Sequence, residues 1–416
     1  MFSNLQQNQR TTRFTLSDLH VTYANTLRRL ILTGVETVAF RSDMTATGTT
    51  TDVTIEKNDT PMTNEMLADR IGLLPIHVLK PLNWKKEKYV FRIKVEGSKD
   101  RTTYVTSSDF QVMELHDKGP SDSDTDEKSP EGLLVRTDDF FPKNPITGDA
   151  CLIATLQPSA TPQQIEIKAY ASVGTGREHA RFSPVSQCAY EYTPDPDQGR
   201  IDELLDTWLD VTKKAKGIDR TSARFQELLR EFNTMQIKRC FLVNDKGEPY
   251  SFNFSVETAG VLPVFDIVER ACQVAENMCN RYVNLDKGDV PSDITISSAD
   301  ARIIGFDFLF RGHDHTLGNL LQTWLVEHHI EGNSTPKITY AGYSVPHPLR
   351  DEMIVRIGVQ DGQESTARLA VATAARDCAM MFQQMCGQWR ALYGQPSVPV
   401  QNIVKGGQRS AIKRIG

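Results

Sequence analysis

The sequence predicts an α+β chain built from two related halves that pack as a pseudo-twofold pair, with a mostly-β insertion in the first half. The leading observation is an internal repeat. Laid on itself without gaps at an offset of 294 residues, the chain places Phe14 on Phe308, Leu16 on Phe310, Ala24 on Gly318, Asn25 on Asn319 and Leu27 on Leu321. The second is the alternation of Tyr89, Phe91, Ile93 and Val95, the period of a strand with one buried face. The third is the apolar stripe Ile267, Ala271, Val274, Met278 and Tyr282, which shares one helix face.

From the N-terminus, Phe14-Thr15-Leu16 leads into Tyr23, Leu27, Leu30 and Ile31, a strand feeding an amphipathic helix that Gly34 is placed to stop. Stretches 35–40 and 51–56 alternate like strands, and Asn64 to Gly72 predicts a short capped helix. Pro75 then holds its predecessor extended. An acidic Ser/Asp/Pro stretch at 117–131 predicts a disordered loop. Within it Asp122, Asp124 and Asp126 have the opening spacing of a calcium loop, but Glu127 and Leu133 stand where that loop needs Gly and Glu. Helical spacing returns at Ile201 to Leu209 and at Phe225 to Phe232, two helices expected to close the insertion. A strand pair is predicted at 240–243 and 251–257, followed by a helix over 266–283. A polar passage leads to the second globular unit, which ends in a long helix over 365–392. In each repeat copy the small residue permits close backbone approach, and the Asn is suited to satisfy amide groups near the first turn.

With 416 residues, 39% apolar and 24% charged, the chain has material for two to three packed units. Its mean hydropathy is −0.38, and without a run of about 18 apolar residues no membrane span is expected. The polar stretch Met1–Arg13 lacks the apolar core of a secretory signal, so a cytosol-like compartment is expected. Seven scattered cysteines with no C-x-x-C pair point to reduced, mostly buried thiols. A net charge of −6 argues against gripping a phosphate backbone as the main task. The tail is the local exception, with Lys405, Arg409, Lys413 and Arg414 and no acidic residue from Val404 onward, suited either to an acidic neighbour or nucleic acid, or to plain solvation.

Six segments in order, Tyr23–Arg29, Asn64–Pro75, Gly176–Val185, Phe252–Gly260, His315–Leu321 and Tyr340–Leu349, resemble the α-like subunits of multisubunit DNA-directed RNA polymerases. Tyr23-Ala24-Asn25-Thr26-Leu27-Arg28-Arg29 and the run Asn64 to Pro75, with its Arg-x-Gly-Leu-x-Pro ending, are similar to the larger partner. Gly176 to Val185 is similar to the archaeal and eukaryotic version of its inserted domain, and Phe252 to Gly260 to the return into its dimerisation domain. His315 to Leu321 and Tyr340 to Leu349 resemble the small partner. The resemblance implies two α-like dimerisation domains forming an intramolecular pseudo-dimer: residues 1–79 with 235–285 as the larger-partner domain, 80–234 as the insertion, 286–300 as a linker, 301–395 as the small-partner domain and 396–416 as the basic tail.

It further implies a non-catalytic assembly subunit, with no catalytic residue, no cofactor and no metal. A cysteine-bearing zinc loop that nuclear larger partners often carry has no counterpart, because 80–110 contains no cysteine. The implied partners are the two large catalytic subunits and small polymerase subunits, with DNA or RNA reached only through the complex, no membrane, and a monomeric pseudo-dimer within that complex. Arg28, Arg29, Arg70, Gly72, Leu73 and Pro75 are the expected partner-binding residues, arginine being suited to carbonyls and carboxylates at an interface. Asn25, Leu27, Leu30, Ile31, Asn319, Leu320, Leu321, Trp324 and Leu325 are expected along the internal seam. Fusion of both partners resembles the arrangement in large cytoplasmic DNA viruses, which suggests a cytoplasmic or virion location if viral, otherwise nuclear, and not secreted.

Other readings remain. The chain reads alternatively as a free transcription regulator that mimics the polymerase platform. An enzyme in the insertion would rest on Arg177, Glu178 and His179 lying together, and His313 with His315 have a spacing open to metal.

Overall fold

The computed structural model describes residues 1–42, 52–115, 132–288, 290–300 and 302–393. The acidic segment at 117–131, its three calcium-spaced aspartates and the basic tail lie outside the described residues.

The chain opens with a hairpin of β1 (Phe2–Asn8) and β2 (Thr11–Ser17), then α1 (Val21–Thr33), which ends one residue before Gly34. The strand β1 was not apparent from sequence, because it is polar and mostly exposed and is held to β2 by its backbone. Next come β3 (Glu36–Ala39), β4 (Val53–Asn58) and α2 (Asn64–Gly72). Thr63 caps α2, its hydroxyl accepting from the Met66 amide at 3.3 Å. There follow β5 (Tyr89–Glu96), β6 (Thr103–Thr106), β7 (Gln111–Leu115), β8 (Gly132–Val135), the short α3 (Thr137–Phe140), β9 (Leu152–Leu156), β10 (Gln164–Ala169), β11 (Ser172–Thr175) and β12 (Val185–Tyr192). The helices α4 (Gln198–Val211) and α5 (Ala223–Glu231) precede β13 (Ser251–Thr258) and α6 (Val264–Asn280). The remainder is β14 (Ile294–Ser298), β15 (Gly305–Arg311), α7 (His315–Leu325), β16 (Tyr340–Ser344), β17 (Glu352–Gly358) and α8 (Glu364–Tyr393).

One expected strand is corrected. Residues 240–243 make only single bridges, Pro194 to Phe241 and Val243 to Pro249, because the chain turns at once through Asn244 to Gly247.

Two compact units result. Of the described residues, Met1–Ile31, Gln187–Glu257 and Val268–Tyr393 form the first; Leu32–Ser186 and Thr258–Ile267 form the second. The first unit holds two four-stranded sheets of one plan, β1-β2-β13-β12 and β14-β15-β17-β16. In each, the second strand feeds a helix (α1, α7) and the third strand feeds another (α6, α8). The repeat seen in the sequence falls on β2–α1 and β15–α7. Alternate side chains face inward: Phe14, Leu16, Phe308 and Phe310 are buried, and Phe14 stacks on its cross-strand partner Phe254 at 5.1 Å. The helices α4 and α5 belong to this unit and share a small core around Trp208 and Phe232.

The second unit contains the five-stranded antiparallel sheet β4-β10-β5-β7-β8 and the pairs β11-β3 and β6-β9. Its core joins the sheet's inward residues Phe91, Ile93 and Val112 to Leu67, Ala68 and Ile71 of α2. Among the described residues no helix is long and apolar enough to cross a membrane. Of the seven cysteines, six are buried and Cys151 is exposed.

Candidate functional site

Two constellations gather the residues singled out in the sequence. The first lies along α1 and α7. Tyr23, Leu27, Leu30 and Ile31 on α1 and Leu320, Leu321 and Leu325 on α7 are all buried. Polar groups cross between the helices: the Asn319 amide donates to the Thr22 hydroxyl at 3.3 Å, and the Thr323 hydroxyl bonds the same oxygen at 3.1 Å. Tyr23 donates its hydroxyl to Glu327 just past α7, and its ring lies 5.8 Å from Trp324, which stacks on His328. Burial, helped by the Glu327 carboxylate, raises the Tyr23 pKa and keeps the phenol protonated.

Asp314 caps α7, accepting from the Thr316 amide at 2.8 Å. The Arg29 guanidinium reaches that cap: Nη2 lies 3.3 Å from Asp314 Oδ2, and Nε donates to the Thr316 hydroxyl at 2.9 Å. Arg28 bonds Asn25 Oδ1 instead, at 2.9 Å. The expectation that Asn25 and Asn319 satisfy exposed helix amides is corrected. Both sit five residues into their helices, where amides already bond within the helix, and their side chains engage Arg28 and Thr22. The small residue at Gly318 makes room for a side chain and not for a second backbone: a Cβ there would meet the Tyr343 ring at 2.5 Å. Trp389, near the end of α8, closes the far side by packing on Phe14 at 5.0 Å and Phe2 at 5.1 Å.

The second constellation surrounds the end of α2. Arg70 spans from α2 to β9, donating to the carbonyls of Ile153 at 2.8 Å and Leu152 at 3.0 Å. Gly72 lets another arginine pass: a Cβ would stand 2.6 Å from Arg181 Nη1, 2.9 Å from Ser42 Oγ and 3.1 Å from the Phe40 carbonyl. Through that opening Arg181 donates to the Phe40 carbonyl at 2.9 Å and to Ser42, whose hydroxyl in turn donates to Asp69 at 2.7 Å. Leu73 is 63% exposed and Pro75 is exposed, whereas Leu74 and Ile76 between and after them are buried. The alternation leaves one face of this turn to solvent.

The segment 176–185 is tied down here. Arg41 grips Glu178 with two hydrogen bonds, 2.5 and 2.8 Å, and this guanidinium holds the Glu178 carboxyl below its ordinary pKa against the opposing effect of burial. His179 Nδ1 accepts from the Arg181 amide and Nε at 3.1 and 3.0 Å. Glu178 is thus hydrogen-bonded by Arg41 and His179 by Arg181. His313 and His315 also part: the first bonds the Tyr282 hydroxyl at 2.6 Å, the second approaches that of Tyr343 at 3.3 Å.

Sequence reasoning missed Asp314, Glu327, Trp389, Arg41 and Arg181. Asp314 had a legible signal, an Asp directly before a helix. The others act through contacts formed only by the tertiary fold.

A family model described as the RNA polymerase Rpb3/Rpb11 dimerisation domain matches residues 13–279, and a second of the same description matches 306–388. The chain is similar to the DNA-directed RNA polymerases I and III subunit RPAC1 of Homo sapiens, 26% identical over 301 residues, covering 65% of this chain and 80% of that protein. It is similar to the DNA-directed RNA polymerase subunit Rpo3 of Pyrococcus furiosus, 25% identical with 67% and 94% covered. Rpo3 of Thermococcus kodakarensis is 27% identical with 68% and 96% covered.

Proposed function

Because this chain belongs to the family of RNA polymerase Rpb3/Rpb11 dimerisation domains, we propose that its two matched segments pair with each other inside one polypeptide. It is a non-catalytic assembly subunit of a DNA-directed RNA polymerase. The observation that carries the pairing is the set of polar contacts from α1 to α7 and the residues just past it, where Arg29 reaches the Asp314 cap, Thr22 meets Asn319 and Thr323, and Tyr23 meets Glu327. Two sheets of one plan, each carrying one copy of the repeat, support the same reading.

In this proposal the seam comprises Asn25, Leu27, Leu30, Ile31, Asn319, Leu320, Leu321, Trp324 and Leu325. In it residues 1–79 with 235–285 are the larger-partner domain, 80–234 a mostly-β insertion whose closing part, β12 with α4 and α5, packs in the first unit instead of with the five-stranded sheet, 286–300 the linker and 301–395 the small-partner domain. The chain works as a monomeric pseudo-dimer on which the two large catalytic subunits and smaller subunits assemble. Arg28, Arg29, Arg70, Gly72, Leu73 and Pro75 serve partner binding, the exposed Leu73 and Pro75 directly and the arginines and glycine by shaping the surface beside them. The fused arrangement suggests a viral source and a cytoplasmic or virion location, with the nucleus as the alternative.

The test is purification of the tagged chain from its native source through a salt wash on the order of 0.5 M, which screens surface charge contacts. Mass spectrometry and an RNA-synthesis assay follow. Two much larger chains at equal stoichiometry with polymerase activity are expected. The chain alone, or regulators only, would sink the assembly role and favour a free regulator.

A further inference from the structure

Immediately after the Gly72 turn, the chain builds a small hollow of about 250 Å³ within the second unit. Its floor is aromatic and fixed. The Trp84 indole donates to the Ala171 carbonyl at 2.8 Å and stacks on Tyr89 at 4.8 Å, 15° from parallel. Tyr89 in turn meets the edge of Phe140 at 5.5 Å.

Its rim is basic. Lys80, Lys85 and Lys88 line the hollow against the single carboxylate of Asp139. Lys88 is held by Glu114 at 2.7 Å and lies over the Tyr89 ring. Lys80 and Lys85 are exposed, and neither has an ion-pair partner among the described residues. Leu79 and Leu82, 51% and 60% exposed, stand on the same segment.

We propose that this hollow is a docking site for an acidic peptide segment of a partner protein, with one aromatic side chain seated against Trp84, which Tyr89 backs, and flanking carboxylates on Lys80 and Lys85. Charge complementarity selects the occupant, since a surplus of ammonium groups around a preformed apolar floor rewards carboxylates beside a ring. The volume lies below the 300–1,000 Å³ usual for small-molecule pockets and suits one large side chain. A nucleic acid would be tracked by an extended basic stripe with successive stacking rings, whereas this rim is short and interrupted by Asp139.

The experiment is fluorescence anisotropy of the full chain with a labelled peptide of about twelve residues, a central Phe flanked by Asp and Glu. Saturable binding that weakens at least about tenfold in the Lys80→Glu/Lys85→Glu double variant is expected, as is loss of binding by a peptide with Lys in place of the acids. Both lysines are exposed, so the variant keeps its fold, checked by circular dichroism. Equal affinity of wild type and double variant overturns the proposal. Removal of residues 116–131, which carry acidic groups of their own, is expected to leave affinity unchanged; a gain of about tenfold would assign the hollow to that segment and overturn docking of a partner. A single-stranded oligothymidylate is expected not to compete, and displacement of the peptide at equal concentration would overturn the proposal in favour of nucleic acid.

Discussion

Arg29 Nη2 lies 3.3 Å from Oδ2 of Asp314, so a cation on α1 holds the carboxylate that caps α7. Both side chains are about a third exposed, 35% and 36%, which makes the ion pair itself modest, roughly 0.2–1 kcal/mol. The cap is worth more, typically about 1 kcal/mol. Asp314→Asn keeps the cap and removes the charge; Asp314→Ala removes both. Urea midpoints are therefore expected to fall in the order wild type, Asn, Ala, with Arg29→Ala below Asp314→Asn because it also loses the Nε bond to Thr316. An Asn variant as unstable as Ala would show that charge, not capping, dominates.

Gly72→Ala sets two effects against each other. Alanine favours the helix by about 0.5–1 kcal/mol, but its Cβ displaces Arg181 from the Phe40 carbonyl, a partly buried charged hydrogen bond worth about 1.5–3 kcal/mol. Net destabilisation is expected. In an Arg181→Ala background the same substitution should cost less, and a double-mutant cycle measures the difference.

Leu321→Asp places a carboxylate at a fully buried position in the core between the β14-β15-β17-β16 sheet and α8 and is expected to cost more than about 4 kcal/mol, enough to abolish cooperative folding. Trp389→Ala, opening space beside Phe14 and Phe2, is expected to cost about 3–5 kcal/mol. Thermal unfolding followed by circular dichroism checks both.

The Glu178 carboxyl, held below its ordinary value of 4.5 mainly by the Arg41 hydrogen bond, stabilises the fold above that value. A lowered folded pKa means this contribution is lost as pH falls from 4.5 through the folded value. Glu178→Gln should be less stable than wild type at neutral pH and show a shallower acid decline, read from urea midpoints between about pH 6 and about pH 3.

The repeat was legible because strand and helix periods survive in each copy: Phe14 and Phe308, Leu27 and Leu321 each had to face a core, and burial restricts the residues that serve. The helix α2 was legible from its cap and its closing glycine. The reason for that glycine was not, since Arg181 stands 109 residues away in the chain and only the fold brings it over α2. Arg70 read as a surface contact because nothing local reveals carbonyls contributed by β9. The strand β1 escaped notice because backbone pairing leaves no apolar trace in a polar segment.

The passage from the end of α6 at Asn280 to the start of β14 at Ile294 is short, and it turns the meeting of α1 with α7 into a first-order event. Because both helices lie in one chain, dilution does not lower the effective concentration of one for the other. Two subunits made from separate messages must be produced in balance and must find each other. On the pairing proposed above, one translation event delivers both halves in a fixed ratio of one to one.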